Sequence, residues 1–220
     1  AIGANAALSN LGLSANTAGG SSVADSYDAT FNPKGNWLGT VGKFIGTATP
    51  GGFVTGNVPA GITLSRSGAD IVCTSTCPND ATVPRTDGKL GHWFRLVVSG
   101  ATTDAQHVEA LTAALTPATF GAAAGDFVRF RCTLRVTALT RVRDLRITFG
   151  TTDNANYCNA FSYTSASLWT DANDNTFSVV SPLLKLQAAT NLRVTLRIAT
   201  NSAGGTATVD MQDWCVEKAV

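Results

Sequence analysis

The sequence predicts an all-β protein built as a two-sheet antiparallel sandwich, and three stretches carry that expectation. In "AGDFVRFRCTLRVTAL", Val128, Phe130, Cys132, Leu134 and Val136 alternate with Phe127, Arg129, Arg131, Thr133 and Arg135. "RVRDLRITFG" keeps the same period with Leu145, Ile147 and Phe149 inward. "NLRVTLRIAT" sets Leu192, Val194, Leu196 and Ile198 against Arg193, Thr195 and Arg197. A period of two places one face on a core and the other in water. Several such strands between turn signals make a sandwich, and abundant Thr, Val and Gly suit strands and turns better than helices.

The elements follow in order. Residues 1–22, "AIGANAALSNLGLSANTAGGSS", hold no charge and too few apolar side chains for a core. They read as an extended or short-helical neck, and residues 23–220 as the β domain. "YDATFNP", "GNWLGTVGKFIGTATPGGFVTG" and "VPAGITLSRSG" read as short strands between Gly and Pro turns. Residues 66–90 are rich in turn formers and expected to be exposed. "GHWFRLVVSG" is a strand. "AQHVEALTAAL" allows a helical turn through His107, Ala110 and Leu111, but a strand is preferred beside so many others. "GGTATVDMQDWCVEKAV" closes the chain as a final strand after a Gly-Gly turn.

Composition limits the function classes. A chain of 220 residues is long enough for one β domain with a hydrophobic core. The formal net charge of +1 gives no general attraction to nucleic acid or membrane. No apolar run reaches the roughly 18 residues of a membrane span, and no signal-peptide pattern is visible. The start at Ala1, without Met, is read as a fragment of a longer protein.

Five cysteines cannot all pair within one chain. Cys73 and Cys77 flank "TST" in an expected polar loop, where the spacing permits a small disulfide ring. Cys132 and Cys215 fall in apolar strand patterns and are expected to be buried thiols. One CxxxC without a second Cys or His pair lacks the four ligands that zinc takes.

Two parts resemble known families. In "NAALSNLGLSANTA", Ala7, Leu8, Asn10, Leu11, Gly12, Leu13 and Ala15 resemble a short Leu-Gly-Leu linker of bacteriophage tail fibres and tailspikes. Asn5-Ala6 stands where that linker often has Ala-Arg, and Ser14 where it often has Gly. From about residue 30 onward, the order "GNW", "HWFRLVVSG", "AGDFVRFRCTLRV" and "ATVDMQDWCVEKAV" resembles jelly-roll carbohydrate-binding modules of the galactose-binding-like type. The Gly125-Asp126-Phe127 step before the long strand is kept. Together these resemblances imply a jelly roll in the C-terminal, receptor-binding part of a phage fibre or spike. They imply a homotrimer in the virion, outside the cell, that contacts other virion proteins and a bacterial surface polysaccharide or lipopolysaccharide. Short segments rich in small residues do not order alone. Three copies would bury Leu8, Leu11 and Leu13 about a common axis. A plain linker is the alternative for this segment.

The chemistry-bearing residues point to recognition without catalysis. Neither G-x-S-x-G nor HExxH occurs, and Glu109 and Glu217 are the only glutamates, which leaves little for a glycosidase carboxylate pair. No cofactor is expected. Asp171, Asn173, Asp174 and Asn175 in "DANDN" offer oxygens to a structural Ca²⁺, but the cluster is first a turn signature. Arg129, Arg131, Arg135, Arg146, Arg193 and Arg197 share the outward parity of three strands. Were these neighbours, they would form a basic stripe. That stripe is open to three readings: a site for an anionic glycan, a solvated face, or a subunit interface. Of the aromatics Trp37, Trp93, Tyr157, Tyr163, Trp169 and Trp214, the polar context of Tyr163 and Trp169 makes them the sugar-stacking candidates. The expectation is therefore a non-catalytic phage receptor-binding domain. Its alternatives are a structural virion protein (head fibre, decoration protein or fibre cap) and a carbohydrate-binding module appended to a secreted bacterial enzyme.

Overall fold

The computed structural model describes residues 36–78, 82–86, 88, 90–101, 106–164, 175–187 and 190–219. The expected neck, with Leu8, Leu11 and Leu13, lies outside the described residues. A single helical turn, α1 (Gly39–Gly42), leads into short strands β1 (Thr47–Ala48), β2 (Val54–Gly56) and β3 (Val58–Pro59). Then come β4 (Ile62–Ser67), β5 (Ile71–Thr76), β6 (Phe94–Gly100) and β7 (His107–Thr112). After a 3₁₀ turn (Pro117–Phe120) follow β8 (Phe127–Thr140), β9 (Val142–Thr151), β10 (Tyr157–Thr164) and β11 (Asn175–Val180). β12 (Leu184–Lys185), β13 (Leu192–Thr200) and β14 (Gly205–Ala219) complete the chain. The 107–112 stretch is a strand, as the β context favoured.

Two sheets form the sandwich, a five-stranded one in the order β10-β9-β13-β7-β4 and a seven-stranded one that includes β11-β8-β14-β6-β5-β2. From β6 onward, and setting aside the two-residue β12, the chain follows an eight-strand jelly roll. β6, β14, β8 and β11 lie in one sheet and β7, β13, β9 and β10 in the other. β4 and β5 extend one edge of each sheet.

The inward residues read from the sequence build the core between the sheets. Val128, Phe130, Leu134 and Val136 of β8 are fully buried, as are Leu145, Ile147 and Phe149 of β9 and Leu192, Val194, Leu196 and Ile198 of β13. Trp214 sits at the centre of an aromatic group. It meets Phe44 and Phe130 edge-on, with centroids 5.6 and 5.7 Å away. A bulge between Gln212 and Cys215 gives Trp214 its inward position, with Asp213 at φ 52°. Gly42 lets α1 close over that point, because a Cβ there would lie 2.0 Å from the Trp214 carbonyl oxygen.

The expected Cys73–Cys77 bridge does not form, and all five thiols are unbridged. Cys73 is part of β5 and Cys77 follows its end, both buried. Four residues along a strand span roughly 13 Å, about twice the Cα separation a disulfide tolerates. The sequence suggested a polar loop because Thr and Ser alternate with these cysteines. That alternation is a strand's own, with Ile71, Cys73 and Ser75 buried and Val72, Thr74 and Thr76 exposed. Burial pushes the Cys73 thiol up to about 12, so it stays protonated and unreactive. Reductant is therefore expected to leave the thermal unfolding midpoint unchanged. A drop of several degrees would reveal a bridge.

Candidate functional site

The arginine stripe is divided between the two sheets. β8 leaves its sheet at a single corner residue, Arg141, held at φ 51°, and β9 enters the other. Arg129, Arg131 and Arg135 therefore face outward from the seven-stranded sheet, and Arg146, Arg193 and Arg197 from the five-stranded one. Parity along a strand fixes in or out, but not which sheet a strand joins.

On the seven-stranded sheet the arginines are engaged by the chain's own carboxylates. Arg129 pairs with the buried Glu217 at 2.5 Å, and Arg131 approaches the same oxygen at 3.4 Å. Arg135 belongs to one row across the sheet, Arg95–Asp210–Arg135. Asp210 is fully buried and takes two hydrogen bonds from Arg95, at 2.6 and 2.8 Å, and one from Arg135 at 2.9 Å. The segment before β6 covers this row. Thr86 Oγ1 accepts from both arginines, and the buried Arg85 donates to Gln212 at 2.9 Å. These residues are a structural network, so Arg129 and Arg131 do not share a glycan site with the other three.

The five-stranded sheet presents an open outer face. Cross-strand register sets its side chains in rows. One runs Ser65, Glu109, Arg197, Arg146, Ser162 and the next Thr63, Leu111, Thr195, Thr148, Asn159. A third places Arg193 beside Gly150 and Tyr157. These rows enclose a depression of about 270 Å³. Thr148, Thr195 and Leu111 form its floor, Arg146, Arg197 and Glu109 one wall, and Arg193, Asn154 and Tyr157 the other. Successive rows stand roughly 6.7 Å apart along a strand, so the arginine walls flank a floor two steps wide.

The walls are held from behind. Asp144 Oδ2 lies 3.1 Å from Arg146 Nε and 3.4 Å from Arg197 Nε. Glu109 pairs with His107 Nε2 at 3.2 Å, and His107 Nδ1 lies 3.2 Å from Ser67 Oγ. Arg193 donates to the Thr152 carbonyl at 3.2 Å. Partial burial, then repulsion from Arg146, lowers the basicity of Arg197.

The β9–β10 turn positions Tyr157. Thr151 N–H donates to the Asn156 carbonyl at 2.8 Å, Asn156 N–H to Thr151 Oγ1 at 3.0 Å, and Ala155 N–H to Asp153 Oδ1 at 3.0 Å. The Thr151 hydroxyl and the Ala155 N–H hold the Asp153 carboxyl below its ordinary range. Gly150 allows the close crossing, since a Cβ there would lie 2.4 Å from Tyr157 Cβ. Tyr157 emerges 57% exposed on the rim.

Tyr163, chosen from the sequence, is 6% exposed and packs in the core. Tyr157 and Tyr163 are six residues apart, which in a regular strand would place them on one face. The bulge between Asn159 and Phe161 reverses the parity and turns Tyr163 inward. Trp169, Asp171, Asn173 and Asp174 lie outside the described residues. Asn175 is the exposed first residue of β11, paired with Val136. Among the described residues, no group of three or more His, Cys, Asp or Glu is placed to hold a metal. No described helix is long and apolar enough to cross a membrane. Sequence reasoning missed Glu109, Asn154, Thr148 and Thr195. The available signal was that Arg146, Thr148, Arg193, Thr195 and Arg197 share outward parity on two strands.

No protein-family model and no curated protein sequence matches the chain. The solved structures similar to it include these three. One is the enzymatically active domain of bacteriophage CBA120 tailspike protein 4, at 15% identity and TM-score 0.41, covering 72% of this chain and 19% of that one. Another is from a study of the promiscuous specificity of carbohydrate-binding modules from the β-sandwich superfamily, at 11% identity and TM-score 0.43, covering 71% and 56%. The third is the family 11 carbohydrate-binding module of Clostridium thermocellum in complex with a β-1,3-1,4-mixed-linked tetrasaccharide, at 9% identity and TM-score 0.42, covering 73% and 91%. The chain thus spans about a fifth of the tailspike structure.

Proposed function

We propose that this protein is a non-catalytic recognition domain that holds a bacterial surface polysaccharide or lipopolysaccharide on the outer face of its five-stranded sheet. The observation that carries the reading is the depression beneath Tyr157. It combines an exposed ring on the rim, a floor of short Thr side chains and walls of fixed polar groups. Sugar recognition uses such a combination, with a flat ring for the apolar face of a pyranose and a few placed donors and acceptors for orientation. Its volume suits one or two sugar units, below the roughly 300–1,000 Å³ of sites for drug-sized ligands. The opposite outer face holds a depression of similar volume, about 290 Å³, beside Arg129, Arg131 and Val180, but there both arginines lie against the buried Glu217 of the chain itself. Glu109 is bonded to His107 and Asp144 is shared by two arginines, so each carboxylate supports the walls.

The setting we infer is a phage fibre or spike, in which a homotrimer multiplies a weak single-site affinity. A structural virion role is the second reading. Phe127, Val180 and Leu183 favour it, since all three are exposed at one end of the seven-stranded sheet where a subunit contact would cover them. An array of bacterial surface polysaccharides tests the main reading. Wild type is expected to bind at least one, and Tyr157→Ala to weaken that binding about tenfold or more, as expected for a central aromatic contact. Binding unaffected by Tyr157→Ala would remove the reading. Light scattering on the full chain is expected to give three times the chain mass.

A further inference from the structure

We infer that the sugar unit seated in this depression is anionic, and that its carboxylate or phosphate oxygens lie between Arg193 on one wall and Arg146 and Arg197 on the other. The inference rests on the glycan reading of the face and names the ligand's chemistry.

Three observations lead to it. First, Arg146 and Arg197 stand directly opposite each other on paired strands. Like charges so placed repel, and the single carboxylate of Asp144 is shared between them. Second, among the described residues Arg193 donates to the neutral Thr152 carbonyl alone, and its buried Nε makes no hydrogen bond. The Nε of Arg197 is likewise buried, and the Asp144 carboxylate 3.4 Å away pairs with it by charge without hydrogen-bond geometry. Desolvated donors without return weigh against the folded state, and negative charge brought over the open edges of these groups offsets that cost. Third, the positive charge is in excess. Three guanidinium groups, those of Arg146, Arg193 and Arg197, line the depression with the one carboxylate of Glu109, and Asp144 stands behind two of them.

A neutral sugar presents hydroxyls, for which Asn, Gln and carboxylate walls serve as well. Guanidinium forks match paired oxyanion oxygens, which carboxylates and phosphate esters share. The floor leaves room for such a group, because Thr148 and Thr195 are short and sit between the arginine rows.

The test follows the arginine Nε–H signals of the full chain by NMR during titration with methyl glucuronide, glucose 6-phosphate and methyl glucoside. Saturable shifts at Arg193 and Arg197 are expected with one or both acidic sugars and not with methyl glucoside. The sugar that acts distinguishes carboxylate from phosphate. Arg193→Gln is expected to weaken that binding at least tenfold while its amide spectrum keeps the wild-type fold. No saturable shift with either acidic sugar, or equal shifts with methyl glucoside, would overturn the inference. If polysaccharide binding on the array still depends on Tyr157 in that case, only the anion assignment falls. If Tyr157→Ala leaves array binding intact, the glycan reading falls with it.

Discussion

Asp210→Ala is expected to destabilise the domain by about 3–5 kcal/mol, read as a lowered urea midpoint at unchanged slope. Asp210 lies at the centre of the outer face of the seven-stranded sheet, and none of its side chain reaches solvent. It is the common acceptor of Arg95 and Arg135. Removing it leaves two guanidinium groups, one itself buried, facing each other without the carboxylate they share. The loss is therefore that of a buried charge shared by two cations rather than of one contact. Replacing all three side chains together by apolar ones of similar volume should cost much less, because no charge is then left without its partner. A loss below about 1 kcal/mol for Asp210→Ala would show that the segment around Thr86 does not close this face.

Trp214→Ala is expected to cost a similar 3–5 kcal/mol through the cavity it opens. Its ring is the largest fully buried side chain and joins residues far apart in sequence, with Phe44 from the segment after α1 and Phe130 from β8 packed on its edges. Phe44 holds φ 55°, a backbone region that bulky residues seldom adopt. Packing against Trp214 and Phe94 keeps it there. Trp214→Phe should be much milder. It retains an aromatic ring and removes an indole N–H that makes no hydrogen bond among the described residues. Equal losses for Ala and Phe would mean that shape at this bulge, rather than buried volume, governs the core.

Strand positions and the core were legible in the sequence because both follow from local periodicity. Val128 to Val136 and Leu192 to Ile198 point where alternation places them. Sheet membership was not legible. It depends on the corner at Arg141, where one residue in a left-handed conformation sends two long strands into different sheets. That corner turned one apparent stripe of arginines into a buried network and an open depression. The assignment of Tyr163 to the surface failed for a related reason. A one-residue bulge in β10 is silent in composition, yet it exchanges the environments of Tyr157 and Tyr163. Cys73 and Cys77 misled because their polar neighbours are the exposed half of a strand, which resembles a loop when the buried half is small. Of the six arginines grouped in the sequence, Arg146, Arg193 and Arg197 come together around one depression. The partners that shape it, Glu109 and Asp144, come from registers that pairing alone reveals.

On the proposed reading, one outer face binds the polysaccharide and the other does not. Two substitutions that each add a carboxylate compare the faces directly. Thr195→Glu sets a negative charge on the floor of the depression among the arginines, and Val180→Glu sets one on the exposed surface of the opposite sheet. Both variants and wild type would be titrated against the polysaccharide that binds best on the array. Thr195→Glu is expected to stay folded, because its charge meets Arg193 and Arg197, and to lose binding by tenfold or more. Val180→Glu is expected to bind as wild type. Full binding by a folded Thr195→Glu, or loss of binding in Val180→Glu, would contradict the placement of the site on the five-stranded sheet.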